Sequence, residues 1–509
     1  MSPNNPADWI ESAARDQPQR IFLQTPAGRA MSYAGLSDES GRFAAALIAK
    51  GVAPGDRIAV QVDTSVEAVL LYIACLRMRA VFVPINVANT AHEVEYFLRD
   101  AEPKLAVIRP ADRALLETPA SRAGVPCETL GTDGEGSWMR LVRQSAIRSD
   151  FGGADDANSL AAIVYTSGTT GRSKGAMLTR ANLASNATVL AETWRFTRQD
   201  VLLHALPLFH VHGLFAAINT VLASGSGVLL LPKFDAAAAV RHFREVSVFM
   251  GVPTHYTRLL QQQELDRAAT DGMRLFVSGS APLLAETHRE FSRRTGHTIL
   301  ERYGMTETLM NTSNPYEGVR KPGSVGVPLA GTLVRVTGPV EEAGEIEVKG
   351  PNVFAGYWRD PQKTQSVFTA DGWFKTGDLG RIAADGYVHI VGRAKDLVIS
   401  GGYNVYPKEV EMEIDALAGV LESAVFGVPH PDFGEGVTAV VVCQPGAPLA
   451  ESDIVNSLQA RLARYKIPKR VLVVDELPRN SMGKVQKNVL RATYASLYAA
   501  APAMPAAPR

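Results

Sequence analysis

Short apolar runs separated by longer amphipathic stretches dominate the chain. DRIAVQV, Asp56 to Val62, reads as a strand, VEAVLLYIACLRM as a helix, and AVFVPIN as a second strand. This is a βαβ rhythm, the sign of an α/β fold built on parallel sheet. The same alternation continues through 200–300, where VLLHALP, SGVLLLP, SVFMGVP and MRLFVSG read as buried strands, and GEIEVKG adds a later one. LAAIVYT and AMLT are strands on either side of a glycine-rich loop.

The pattern changes near residue 393. GRAKDLVISGGYNVYPKEVEMEIDAL runs from strand through a double glycine into a helix, with Pro407 suited to its first turn. ESAVFGV and GVTAVVV follow as strands, ESDIVNSLQARLARY as a helix, and RVLVVDELP as a strand. That length and rhythm fit a small separate domain. The tail from Ala499 is nearly all Ala and Pro and is expected to be disordered.

Composition narrows the class. A chain of 509 residues is too long for one core, so two or more domains are expected. Lys plus Arg and Asp plus Glu are both 52, and this balance argues against a nucleic-acid-binding surface. The three cysteines, Cys75, Cys127 and Cys443, have no metal-ligand spacing and read as reduced thiols of a cytoplasmic protein. The N-terminus carries acids and no apolar run, so no secretory signal is expected. The apolar run Ala68 to Leu76 is half a membrane span and is closed by Arg77 and Arg79, so no membrane association is expected.

The loop itself is YTSGTTGRSKGAM, Tyr165 to Met177. It fails the Walker A spacing, because Lys174 follows Ser173 and precedes Gly175, and it fails the Rossmann glycine spacing. It still holds what a triphosphate needs. Gly168, Gly171 and Gly175 let backbone N–H groups approach an anion. Thr166, Ser167, Thr169, Thr170 and Ser173 add hydroxyls, and Lys174 adds a point charge.

This loop resembles the phosphate loop of adenylate-forming enzymes, the superfamily of acyl-CoA synthetases, luciferases and peptide-synthetase adenylation domains. YGMTET (Tyr303 to Thr308), TGDLG (Thr376 to Gly380), GRAKDLVISGGYNVYPKEVE (Gly392 to Glu411) and PRNSMGKVQK (Pro478 to Lys487) match further motifs of that superfamily, in its order. The resemblance implies a large multi-sheet N-terminal adenylation domain, 1–394, and a small mobile α+β C-terminal domain, 395–498. It implies ATP, Mg²⁺ and CoA as ligands. Thr306 would donate to the α-phosphate and Glu307 would hold Mg²⁺, a hard cation suited to carboxylate oxygen. Ser280, Ala281 and Pro282 would flank the adenine, with Tyr303 and Gly304 on its other side. Asp378 would accept from both ribose hydroxyls, and Arg393 would reach the ribose or the phosphate.

Lys484 is expected to neutralise the attacking carboxylate and the α-phosphate, which is electrostatic stabilisation and not proton transfer. Acetylation would remove that charge, so a lysine acetyltransferase acting on Lys484 is an expected partner. Lys395 matches the hinge between half-reactions. Gly401 and Gly402 would line the pantetheine tunnel. His210 in LPLFHVHGL would gate and orient the acyl group, while His212 reads as structural.

Among members of the superfamily, MGVPTHYTRLL (Met250 to Leu260), Leu275 to His297 and Glu301 to Gly326 most resemble malonyl-CoA synthetases. A malonate brings a second carboxylate that must meet a cation, and a guanidinium fork suits it. Arg258 is the residue the resemblance assigns to that role. Thr254 shares its helical face, and Ser278 and Met305 also line the acyl site; Arg289 and Arg302 are weaker candidates. Phe209 and Val211 depart from the Tyr and Thr expected of such enzymes, which leaves methylmalonate or another short-chain or aryl acid open.

Overall fold

The computed structural model describes residues 5–151, 156–166, 173–338, 343–459, 461–480 and 483–498. They fall into two compact units: Met1–Leu283 with Thr287–Val334 and Val348–Lys375, and Leu284–Glu286 with Arg335–Glu347 and Thr376–Arg509. The expected tail from 499 lies outside the described residues.

The first unit is an α/β body on two sheets. In the seven-stranded sheet, Arg57–Gln61 pairs in parallel with Val81–Pro84 on one side and with Leu105–Ile108 on the other. The helix that connects the first pair, Val66–Met78, is buried along its whole length. Its apolar run is therefore interior packing, and among the described residues no helix is long and apolar enough to cross a membrane. The nine-stranded sheet holds Val201–His204, Gly227–Leu230, Val248–Gly251, Leu275–Ser278 and Leu300–Met305 as parallel neighbours. The first four are short, largely apolar runs buried almost throughout, as parallel strands under helices must be, while Leu300–Met305 carries Glu301 and Arg302 and is half-buried from Tyr303 on. Leu309–Ser313 then turns back antiparallel to Leu300–Met305.

The second unit carries a five-stranded sheet centred on the pair Val420–His430 and Gly434–Cys443. Alternate residues face opposite ways. Val425, Val437, Ala439 and Val441 pack with Val410 and Ile414 of the helix Pro407–Asp415 and with Ile454 and Leu458. Ala424, Phe426 and Val428 pack with Leu477 and Leu490 on the other face. Pro407 occupies the first helical turn, as its fixed φ predicts.

Two features differ from expectation. The helix at Glu451 ends at Gln459, and a single tight turn, Arg464–Lys466, follows it. Tyr465 there stacks on Tyr403 with ring centroids 4.7 Å apart, a tertiary contact that the helical pattern does not contain. The compact units also divide at 375/376, ahead of 394/395. Phe374–Ile382 and Val388–Arg393 are antiparallel partners, so Asp378 and Arg393 fall on the same side of the division.

The three cysteines are free; Cys75 is buried, and Cys127 and Cys443 are half-buried. In the second unit, the half-buried Asp415 accepts from Ser423 Oγ at 2.7 Å. Burial raises its carboxyl to about 6. A raised carboxyl favours the protonated native state, so its ionisation costs stability as pH rises from about 4 through 6. Asp415→Asn should therefore stabilise the protein by about 2 kcal/mol at pH 8 and by almost nothing at pH 4. Thermal melts across that range would show it, and a pH-independent difference would contradict it.

Candidate active site

The glycine-rich loop closes a hairpin. Leu160–Thr166 and Lys174–Thr179 run antiparallel, and their last pair is Thr166 with Lys174. Ser167, Gly168, Thr169, Thr170 and Gly171 lie outside the described residues. Their flanks are firmly held. Tyr96 donates its hydroxyl to the Ser173 carbonyl at 2.9 Å, and Tyr165 donates to Asp100 Oδ2 at 2.5 Å. The Lys174 ammonium stands 5.7 Å from the centroid of the Tyr357 ring. Desolvation and the nearby Lys363 lower its pKa, with Asp360 and Glu307 opposing.

Thr306 and Glu307 sit in the turn between Leu300–Met305 and Leu309–Ser313. The turn is so tight that a Cβ on Gly304 would meet the Leu309 carbonyl oxygen at 1.9 Å, so only glycine fits. Thr306 is half-buried and Glu307 is buried, with Tyr357 donating to Glu307 Oε1 at 3.1 Å. A buried carboxylate held by a neutral donor suits Mg²⁺, which takes one or two carboxylates and fills its other positions with phosphate and water. Among the described residues no cluster of three or more His, Cys, Asp or Glu offers an all-protein metal cage.

Histidines and one arginine crowd the region beyond Leu275–Ser278. Ser280 takes a left-handed φ of 71° and lies with its Oγ 3.2 Å from His212 Nδ1. His212 N donates to His210 Nδ1 at 3.2 Å. His212 is fully buried, and burial and the nearby Arg302 push its pKa well below the usual imidazole range. His204 and His255 are pushed down to about 3 by burial, and His255 stacks on Phe234 with centroids 3.8 Å apart. Ser278 is buried with its hydroxyl unpartnered. Tyr303, Met305 and Ala281 are half-buried and Pro282 is exposed.

The two arginines named for the second carboxylate differ sharply. Arg258 lies on the helix Pro253–Leu260 and is exposed, with Thr254 half-buried one turn earlier. Arg302 is 3 % exposed, and its Nε and Nη2 have no hydrogen-bond partner among the described residues. Its guanidinium packs on Gly279, where a Cβ would meet Cζ at 2.5 Å. Burial lowers Arg302 to about 9, so it is still a cation at neutral pH. The environment of Arg302 is not written in the motif that contains it; the only sequence signal is the adjacent strand pattern of Leu300–Met305.

The second unit gathers its own set. Asp378 and Arg393 face each other across antiparallel strands, with Arg393 Nε 2.9 Å from Asp378 Oδ1. Lys484 stands in a loop closed by the Arg479–Val485 bridge. Asn480 Oδ1 accepts from Lys484 N at 2.9 Å, and Arg479 pairs with Glu422. Burial and then Arg393 pull Lys484 down to about 8, with Asp378 opposing. Lys395 is exposed in the short turn Ala394–Asp396, whose Asp396 pairs with Arg491 at 3.0 Å. Gly401 and Gly402, both with positive φ, turn the chain from Val398–Ser400 into Tyr403–Val405.

Residues 10–358 match the AMP-binding enzyme family, and residues 409–484 match the C-terminal domain of AMP-binding enzymes. A mitochondrial malonate–CoA ligase of Mus musculus is 37% identical over 478 residues, covering 86% of this chain and 81% of its own. An oxalate–CoA ligase of Arabidopsis thaliana is 34% identical over 501 residues, covering 94% of this chain and 97% of its own. The crystal structure of ATP-bound MatB from Rhodopseudomonas palustris superposes with a TM-score of 0.93 at 54% identity, covering 97% of this chain and 99% of that one. With its two-part α/β fold and these matches over nearly its whole length, the chain belongs to the AMP-binding, adenylate-forming enzyme family.

Proposed function

We propose that the protein is an AMP-forming malonate–CoA ligase. A malonate carboxylate attacks the α-phosphorus of ATP, giving malonyl-AMP and pyrophosphate. The CoA thiol then attacks the acyl carbon, giving malonyl-CoA and releasing AMP. The observation that carries the choice of acid is Arg302, a buried guanidinium with two nitrogens unpartnered among the described residues. Leaving such a group unpaired is costly, and a second carboxylate in the acyl site relieves it. Arg258, exposed on the neighbouring helix, serves as an outer cation on the same reading, with Thr254, Ser278 and Met305 as lining.

Thr166, Lys174 and the loop between them hold the β- and γ-phosphates. Glu307 holds Mg²⁺, which when bound neutralises phosphate charge. Thr306 donates to the α-phosphate, and Ser280, Ala281, Pro282, Tyr303 and Gly304 enclose the adenine. Asp378 and Arg393 take the ribose, and Lys484 neutralises the charge that gathers in the adenylation step. His210 orients the acyl carbonyl. The turn at Lys395 is the hinge, with Gly401 and Gly402 beside the pantetheine. The three free thiols fit a reducing compartment such as the cytosol.

Three measurements test this reading. In CoA-dependent AMP release with malonate, methylmalonate, succinate, acetate, butyrate and benzoate, malonate should lead. Arg302→Ala should cut malonate kcat/KM about 100-fold or more while sparing acetate, and Arg258→Ala should show a smaller selective loss. A leading monocarboxylate, with neither variant selective, would overturn the dicarboxylate assignment and leave the ligase class standing.

Lys484 is charged below about 8 and neutral above it. The kcat/KM of ATP–pyrophosphate exchange should therefore fall as pH rises through that value. Acetylation of Lys484 should abolish exchange at every pH. Retained exchange in the acetylated protein would remove Lys484 from the mechanism.

Lys395→Pro should leave adenylation within about threefold of wild type and slow thioester formation by more than about tenfold. Equal loss of both half-reactions would place the hinge elsewhere.

A further inference from the structure

Tyr357 has no part in the mechanism above, yet it stands where several strand contacts of the first unit converge. Its backbone N–H donates to Thr364 Oγ1 at 2.9 Å. On either side of it, Phe354 N donates to the Glu307 carbonyl at 2.8 Å, Ala355 N to the Met177 carbonyl at 2.9 Å, and Trp358 N to the Gly175 carbonyl at 2.7 Å. The segment is thus stitched both to the turn that carries Glu307 and to the strand that begins at Lys174. Its side chain reaches both. The ring lies under the Lys174 ammonium at 5.7 Å, within cation–π range, and packs edge-on against Phe354 at 4.9 Å. The hydroxyl donates to Glu307 Oε1 at 3.1 Å, and both residues are more than nine-tenths buried.

We propose that Tyr357 is a positioning residue that ties the triphosphate lysine to the magnesium carboxylate. The inference rests on the roles given above to Lys174 and Glu307. An ionised carboxylate has several lone-pair positions, and a donor on one of them fixes its plane and so the direction from which a cation or a cation-bound water can meet it. The negative face of the ring meanwhile offsets part of the desolvation of Lys174. One side chain therefore sets the spacing between the positive group and the negative group that a metal–triphosphate must engage together. Losing the hydroxyl releases only the carboxylate; losing the ring releases both.

The test is ATP binding by calorimetry, once in EDTA and once with saturating Mg²⁺, on the full chain. Tyr357→Phe should bind metal-free ATP as the wild type does and lose about tenfold of the affinity that Mg²⁺ adds, the scale typical of lost support to a metal ligand. Tyr357→Leu should lose affinity in both conditions. Glu307→Gln is the reference, and its Mg²⁺ increment should shrink at least as much. If Glu307→Gln loses the increment and Tyr357→Phe keeps it, the positioning role is refuted while the metal carboxylate stands. If Glu307→Gln itself keeps the increment, the assignment of Glu307 falls and the inference falls with it. Equal losses for Tyr357→Phe with and without Mg²⁺ would mark the hydroxyl as merely structural.

Discussion

The large unit's chemistry depends on one short antiparallel pairing. Gly356–Tyr357 lies against the strand Lys174–Thr179, with Gly356 opposite Met177 and Tyr357 opposite Ala176. Two residues of strand are a weak element by themselves. Here they join the edge of the seven-stranded sheet to the turn that bears Glu307, which belongs to the nine-stranded sheet. Lys174 and Glu307, from different sheets, are thereby held at fixed spacing. Fixed spacing matters because a charged site gains from electrostatics only when its groups need no rearrangement as charge develops.

The small unit solves a related problem with different means. A lysine that must meet negative charge has to be partly dry, and dryness works against its own ionisation. Lys484 is set in a loop whose ends are held by the Arg479–Glu422 pair and by Asn480, with Arg393 and Asp378 both near enough to bias it. Burial pulls it down to about 8, with Arg393 adding to that and Asp378 opposing. Asp378 in turn is buried against Arg393, so its carboxylate group already has a partner in place.

Much of the fold was legible because its signals are local. The run Asp56 to Val62 became Arg57–Gln61, and the helix after it filled Val66–Met78, since each pattern is set by burial on one known period. The family motifs likewise single out Glu307, Asp378, Arg393 and Lys484 as candidates from short local stretches. What the chain conceals is long-range. Tyr357 reads as one aromatic among many until Gly356 and Tyr357 pair with a strand far upstream. Arg302 reads as a charged residue in a motif until both faces of its strand are covered. His212–Ile218, expected only as an apolar segment, is a π-helix, a form with no sequence period to betray it. Tyr465, expected on the helix at Glu451, instead stacks on Tyr403, a contact that periodicity does not record.

The distribution of thiols has a practical consequence. Cys75 is sealed in the interior, while Cys127 belongs to the first compact unit and Cys443 to the second, each half-buried. The sequence therefore carries one half-buried sulfur in each compact unit and none to spare. Burial holds Cys127 up at about 11, so alkylation there will be slow and will favour mildly alkaline buffer. A pair of fluorophores or spin labels placed on these two positions would make the unaltered chain its own molecular ruler, with one probe in each compact unit and without a single engineered residue.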